Sequence, residues 1–289
     1  MLSSFRRFSS NATQGTVQNI FKKNVIPGVG RVILTSSCKG GVGKSTVALN
    51  TAIALAHTGA KVGLFDGDIY GPSIPTMADT KDNFLASDKD ANFLPVKANG
   101  IDTVSLGNAV DKEAALLWKG PIVGKVISEF LLKAAWPDLD YLVVDTPPGT
   151  GDVHLTLLQS FHIDGTLLVT TPQEISVADV RKSISLFKQM HIPILGIIQN
   201  FDGFICEHCK TQSKIFPGNG AEELSLEFNI PILGSLPIDP EISKSSDKGV
   251  PAIVEHPNSA YAKAFQNVAD TIISFLPKVK PKMPAKKLE

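Results

Sequence analysis

Four short stretches hold the residue types that do chemistry. The first is SSCKGGVGKST, from Ser36 to Thr46. It matches the phosphate-loop pattern G-x-x-x-x-G-K-[ST] except that Cys38 fills the first glycine slot and an extra lysine, Lys39, follows. Gly40, Gly41 and Gly43 let the backbone turn its N–H groups inward, and Val42 and Thr46 complete the cradle. Lys44 is placed to reach β- and γ-phosphate oxygens, and Ser45 to ligand a magnesium ion. The second stretch, FDGDIYGPS, puts Asp66 and Asp68 two residues apart at a strand end. Carboxylates there can complete a magnesium shell or orient an attacking water. The third, YLVVDTPPGTGD, ends an apolar strand in Asp145, a carboxylate aimed at the same cation. The fourth, NFDGFICEHCKTQ, carries Cys206 and Cys209 as C-x-x-C in a loop after a strand.

Two thiolates three residues apart can hold one soft metal centre, form a redox pair, or stand as free thiols. A tetrathiolate site needs four cysteines, and this loop supplies two. A two-fold dimer would bring two such pairs together, as a shared iron–sulfur cluster or a shared zinc site. Spacing alone leaves those two open. His208, between the cysteines, reads as a solvated loop residue. Cys38 stands beside two lysines and a helix N-terminus, so its thiol is expected to ionise more easily than usual; an oxidation-sensitive loop is one reading of it, and a tolerated, neutral substitution is the favoured one.

These residues need a frame that brings distant segments to one edge. Short apolar runs (VILTS, KVGLFD, IDTVSL, YLVVD, GTLLVTT, PILGIIQN, PILGSL) alternate with segments of helical period. Strands that lack in/out alternation and are separated by helices predict an α/β fold, a doubly wound and mostly parallel sheet with helices on both faces. Such sheets bind ligands at the C-terminal ends of their strands, where all four stretches fall. Gly59 should stop the helix after the phosphate loop, and Ser176 should cap the helix SVADVRKSISLFKQM.

The 289 residues hold 28 Lys+Arg against 28 Asp+Glu, so no bulk charge points to nucleic acid. No apolar run is long enough to span a membrane. Three cysteines are too few for a disulfide framework and suit a reducing compartment. Residues 1–25 are free of acid, contain Arg6 and Arg7, and can align Leu2, Phe5 and Phe8, the composition of a mitochondrial transit peptide. That reading predicts a matrix protein. Residues 26–276 then form the phosphate-loop domain, with the cysteine loop near 201–217. Residues 277–289, PKVKPKMPAKKLE, are expected to be a flexible basic tail.

The lysine pair of KGGVGKST resembles the deviant Walker-A (SIMIBI) ATPases, the class of MinD, ParA, ArsA and nitrogenase iron protein. The resemblance implies that Lys39 crosses a dimer interface to the nucleotide of the other copy. It implies that Asp68 positions water and that Asp66 and Asp145 serve the magnesium shell. It also makes Asn200 an adenine contact and sets Asp239 of LPIDP near the base. With DGDIYGPSIP, LWKGP, VDTPPGTGD and the C-x-x-C after QNFDGF, the chain from Pro27 to Leu276 is similar to the Mrp-type iron–sulfur carrier ATPases, nearest their mitochondrial, NUBPL-like branch. That implies ATP with magnesium, slow hydrolysis, and a labile 4Fe–4S cluster bridging a homodimer. It also implies delivery to apo-proteins, respiratory complex I subunits among them. A MinD- or ParA-like positioning ATPase and an electron-transfer protein like nitrogenase iron protein are the alternatives. Three positions depart from the family: Cys38 where glycine is usual, Glu207 where proline is usual, and Lys119 where arginine is usual. Glu207 is expected to loosen the cluster.

Overall fold

The computed structural model describes residues 23–109, 120–206, 208–209 and 211–287. Most of the expected leader, Lys119 and Glu207 lie outside them.

Strands β1 (Val29–Ser36), β2 (Val62–Asp66), β4 (Ile101–Ser105), β5 (Leu139–Asp145), β6 (Gly165–Thr170), β7 (Ile194–Ile205) and β9 (Ile232–Ile238) run parallel. Two short strands at the margins, β3 (Val96–Ala98) and β8 (Gln212–Ser213), pair antiparallel. The order is β3-β4-β2-β5-β1-β6-β7-β8, with β9 also on β7. β1 therefore sits centrally, and the acids ending β2 and β5 lie in register, Asp66 opposite Asp145.

Alternate residues of the central strands feed two cores. Ile33, Leu64, Val143 and Leu167 face α1 (Lys44–His57) and α9 (Ala260–Phe275). Leu34, Phe65, Val144 and Leu168 face α3 (Gly120–Lys133), α4 (Asp152–Ser160), α5 (Glu174–Gln189) and α6 (Gly220–Phe228). Burying a Leu, Ile or Phe on either face contributes about 1.5–3 kcal/mol, which is why the strands need no polar face. The doubly wound architecture read from the sequence is present.

Local chemistry sets the ends. α1 stops at Gly59, whose φ of 79° suits glycine and whose N–H donates to Ala56 O. Ser259 Oγ accepts from Ala262 N at the start of α9. Ser176 caps nothing: α5 begins two residues earlier, with Gln173 as its N-cap, and the Ser176 hydroxyl accepts from Thr171 Oγ1 instead. Three short helices, α2 (Ile74–Met77), α7 (Pro240–Asp247) and α8 (Ala252–Glu255), fall between the apolar runs and long helical segments.

Two larger differences bear on function. β7 does not stop at Asn200. Phe201 (φ 59°) and Gly203 (φ 84°) take left-handed backbone, the register with β9 shifts there, and pairing resumes from Phe204. The FDG segment looks like a strand end but is a bend inside a strand. The tail, read as flexible, runs down along the N-terminal edge of the sheet. Gly28 N donates to Met283 O (3.0 Å), Arg31 Nε to Pro277 O and Lys286 Nζ to Asn92 Oδ1, and just before the tail Tyr141 Oη donates to Leu276 O (2.6 Å). A Pro/Lys-rich segment has no helix or strand pattern, yet its carbonyls still accept and its lysines still donate, and those bonds hold it.

Candidate nucleotide and thiol sites

The phosphate loop leaves β1 and enters α1 through Gly41 (φ 77°) and Gly43 (φ 85°). A Cβ on Gly40 or Gly41 would meet nothing within 4 Å, so open space lies above them. No side chain caps α1, and its first-turn N–H groups face that space. Cys38 does not break the loop.

Lys44, 6% exposed, donates to Asp145 Oδ1 at 2.6 Å and to Ser45 Oγ at 3.1 Å. Asp145 Oδ2 is buried and unpartnered among the described atoms. Asp66 accepts from Asp68 N, Ile74 N and Ser105 Oγ (3.0 Å). Burial and the facing Asp145 push the Asp66 carboxyl up to about 7, and burial also raises Asp145 despite Lys44. Two carboxylates thus face each other with only one ammonium nearby and one oxygen orphaned. This donor set fits a divalent cation beside Ser45.

The segment after β5 folds over the end of β1. Thr146 Oγ1 donates to Thr35 O, Gly149 N to Ser37 O (2.9 Å), and His154 Nε2 lies 3.2 Å from Ser36 Oγ. His154 is 1% exposed, and burial with the Lys44 charge lowers its pKa to about 4. It lines a cavity of about 200 Å³ with Asp68, Tyr70 and Pro148. Lys39 is half-buried, and among the described residues no carboxylate pairs with it.

Cys38 behaves opposite to expectation. Its Sγ lies 2.7 Å from both Asp179 O and Ser183 Oγ of α5, and burial raises its pKa. Helix α5 covers the thiol that the two lysines were expected to activate.

Asn200 contacts the phosphate loop itself: its Nδ2 donates to Val42 O at 2.9 Å and packs where a Gly43 Cβ would stand. Asp239 caps α7 by accepting from Glu241 N and lines a cavity of about 510 Å³ with Ile242, Ala252 and Tyr261. None of the loop residues forms that cavity's walls.

Cys206 and Cys209 sit at the tip of a hairpin formed by the end of β7 and β8. Phe204 pairs with Ser213 and Ile205 with Gln212, and Cys206 N donates to Thr211 O (3.1 Å). Cys206 is half-buried and Cys209 exposed. Hydrogen bonds from Thr211 and Cys206 lower the Cys209 thiol to about 7. His208 is exposed. Among the described residues no set of three or more His, Cys, Asp or Glu is arranged to hold a metal, so one chain offers this pair alone. Sequence reasoning missed His154, Gln199 and Asp202, which acquire their partners only on folding. The one hint was a Gln–Asn pair ending an apolar strand.

The ParA-type family described as the NUBPL iron-transfer P-loop NTPases matches residues 28–273. The chain belongs to this family. Similar to it is an iron–sulfur cluster carrier protein of Aquifex aeolicus, 44% identical over 258 residues, 89% of this chain and 71% of the relative. The carrier protein of Escherichia coli is 40% identical over 261 residues, 90% and 71% of the two chains. A nucleotide-binding protein of Archaeoglobus fulgidus, solved with ADP, is 34% identical with a TM-score of 0.70, over 88% of this chain and 95% of that one. The cell division ATPase MinD of Pyrococcus furiosus gives 28% and 0.64, over 85% and 99%. A NUBPL-type NTPase thus has the phosphate loop its family name implies. Among the described residues no helix is long and apolar enough to cross a membrane.

Proposed function

We propose that this NTPase carries iron–sulfur clusters, holding a 4Fe–4S cluster between two copies through Cys206 and Cys209 and releasing it to apo-proteins under nucleotide control. One observation carries the reading. The thiol pair stands at an exposed tip, one thiol easily ionised, with no third ligand nearby among the described residues. Such a pair is half of a four-thiolate site.

At the other site, the loop N–H groups and Lys44 bind the nucleotide phosphates, with Lys44 leaving Asp145 to reach them. Ser45, with Asp66 and Asp145 behind it, is the set that would hold magnesium, which neutralises charge on the β- and γ-oxygens. Asp68 orients the attacking water. Lys39, with no carboxylate partner among the described residues, reaches the nucleotide of the other copy, which makes hydrolysis depend on dimerisation. Asn200 and Asp239 take the adenine end. Hydrolysis is slow and serves to reset the carrier.

Anaerobic reconstitution tests this on wild type and a Cys206→Ser/Cys209→Ser double variant, followed by absorption spectra and gel filtration. The expected result is a 4Fe–4S spectrum on a dimer that the double variant lacks. Zinc-only binding, or iron held by a monomer, overturns it. Transfer to an apo-acceptor separates a carrier from an electron-transfer protein.

The acid-free, arginine-containing leader supports a mitochondrial matrix location, and the resemblance to the NUBPL-like branch puts complex I subunits among the acceptors. The relatives named above are bacterial and archaeal and lend this no support. Residues 1–25 fused to a fluorescent protein in a eukaryotic cell should mark mitochondria, and diffuse fluorescence rejects that location.

A further inference from the structure

The two sites share one strand, and their contacts meet at adjacent residues of it. Asn200 of β7 holds the phosphate loop through Val42 O. Its neighbour Gln199, 2% exposed, is spent on the other site. Gln199 Nε2 donates to Asp202 Oδ1 at 2.9 Å, and its Oε1 accepts from Ala221 N (3.0 Å) at the start of α6. Asp202 O in turn accepts from Gln212 Nε2 of β8 (3.0 Å), the strand that closes the cysteine hairpin. Between these contacts lies Phe201, a non-glycine residue in left-handed backbone, where strain concentrates at a single position.

We propose that Gln199, Asn200 and Asp202 form a relay that sets the geometry of the cysteine hairpin according to the occupancy of the phosphate loop. This deepens the carrier reading and rests on it for its purpose, by naming how nucleotide regulates the thiol site. Phosphate entering the loop draws the backbone N–H groups around Val42 and Gly43 toward its oxygens, and Val42 O moves with them. Asn200 follows through its hydrogen bond to Val42 O, with its amide lying close against Gly43. A shift of the Asn200 backbone passes to Gln199, the residue before it in the same strand. Ala221 fixes one end of the Gln199 amide, so the movement is felt at the other end, Asp202. Asp202 and Gln212 then carry it into the hairpin. The element that moves is the Phe201–Gly203 bend, where left-handed backbone and a break in the pairing with β9 leave the strand least constrained.

The test reads each thiol separately. The full-length, metal-free chain is alkylated with iodoacetamide with and without saturating magnesium-ATP, and modification of Cys206 and Cys209 is followed by mass spectrometry. In wild type, nucleotide should change both rates by about fivefold or more, the low end of ordinary site-to-site coupling. Asp202→Ala should bind nucleotide as wild type does and show no nucleotide-dependent change. Asp202→Asn keeps an acceptor for Gln199 and should restore the effect. A merely structural role would alter the rates without nucleotide and leave their ratio intact. An unchanged ratio in Asp202→Ala, or no nucleotide effect in wild type, overturns the relay. The readout needs no iron, so a wild type that fails to assemble a cluster sinks the carrier reading and leaves the relay to be judged by the alkylation ratios.

Discussion

His154 keeps a neutral imidazole inside the fold, and that has a pH cost of definite sign. Its folded pKa of about 4 lies below the ordinary 6.5. Above pH 6.5 neither state is protonated there and nothing is lost. As pH falls from 6.5 towards 4 the unfolded chain takes a proton that the fold refuses, so stability drops, by up to about 1.4 kcal/mol per pH unit. Asp66 works the other way: with its carboxyl raised from 3.8 to about 7, the fold keeps a proton that the unfolded chain loses, and stability falls as pH rises through that window. Urea unfolding of His154→Gln beside wild type isolates the first effect. The variant should gain on wild type as pH falls below 6.5, and parallel curves would refute it. The thiols differ as sharply. Cys209 is exposed with a lowered pKa and Cys38 is covered with a raised one, so at pH 7.5 iodoacetamide should modify Cys209 first and Cys38 last. The motif residues were legible because local spacing defines them. Cys38 was misread because the atoms that bury it, Asp179 O and Ser183 Oγ, belong to a distant helix.

At the scale of elements, the parallel strands and long helices could be read from apolar runs and helical period. Hidden were α7 and α8, each too short for a period to register, and the continuation of β7 past a left-handed bend. Close contacts between helices were equally invisible. Gly124 of α3 lies so near α4 that an added Cβ would stand 2.7 Å from Thr156 Oγ1 and 3.0 Å from its Cβ. The Thr156 hydroxyl also donates to Asp152 O, which limits how far it can turn away. Gly124→Ala should therefore cost about 1–3 kcal/mol, even though alanine favours helix by itself. A lower urea midpoint at unchanged slope is the expected measurement, and a gain in stability would mean that the helices separate freely. Because α4 follows the segment latched to β1, this variant should also weaken nucleotide binding.

Over the whole molecule the tail closes what the sheet leaves open. Gly30 has no room for a side chain beneath it, since an added Cβ would meet Val279 O, and one on Gly28 would meet Trp136 O and Pro137 O before the backbone of Ala285. Lys278 reaches Gly59 O, so the strap also touches the end of α1. Removing residues 277–289 should lower stability by roughly 1–3 kcal/mol, the worth of a few hydrogen bonds less the ordering of the segment. Thermal unfolding reads this directly, and an unchanged midpoint would restore the view of the tail as a loose end. Composition concealed the strap because an extended, proline-rich segment is held by partners elsewhere and not by any pattern of its own. The bend in β7 acts at the same scale. Beyond it the hairpin keeps a single register with β9, at Phe204 and Ile238, whereas Ile197–Gln199 are paired on both sides. In deuterated buffer the amides of the hairpin should therefore exchange well ahead of those strand residues, opening without melting the body of the protein. On the proposed reading, in which the cysteine pair takes a cluster, loading should appear as hairpin amides that stop exchanging.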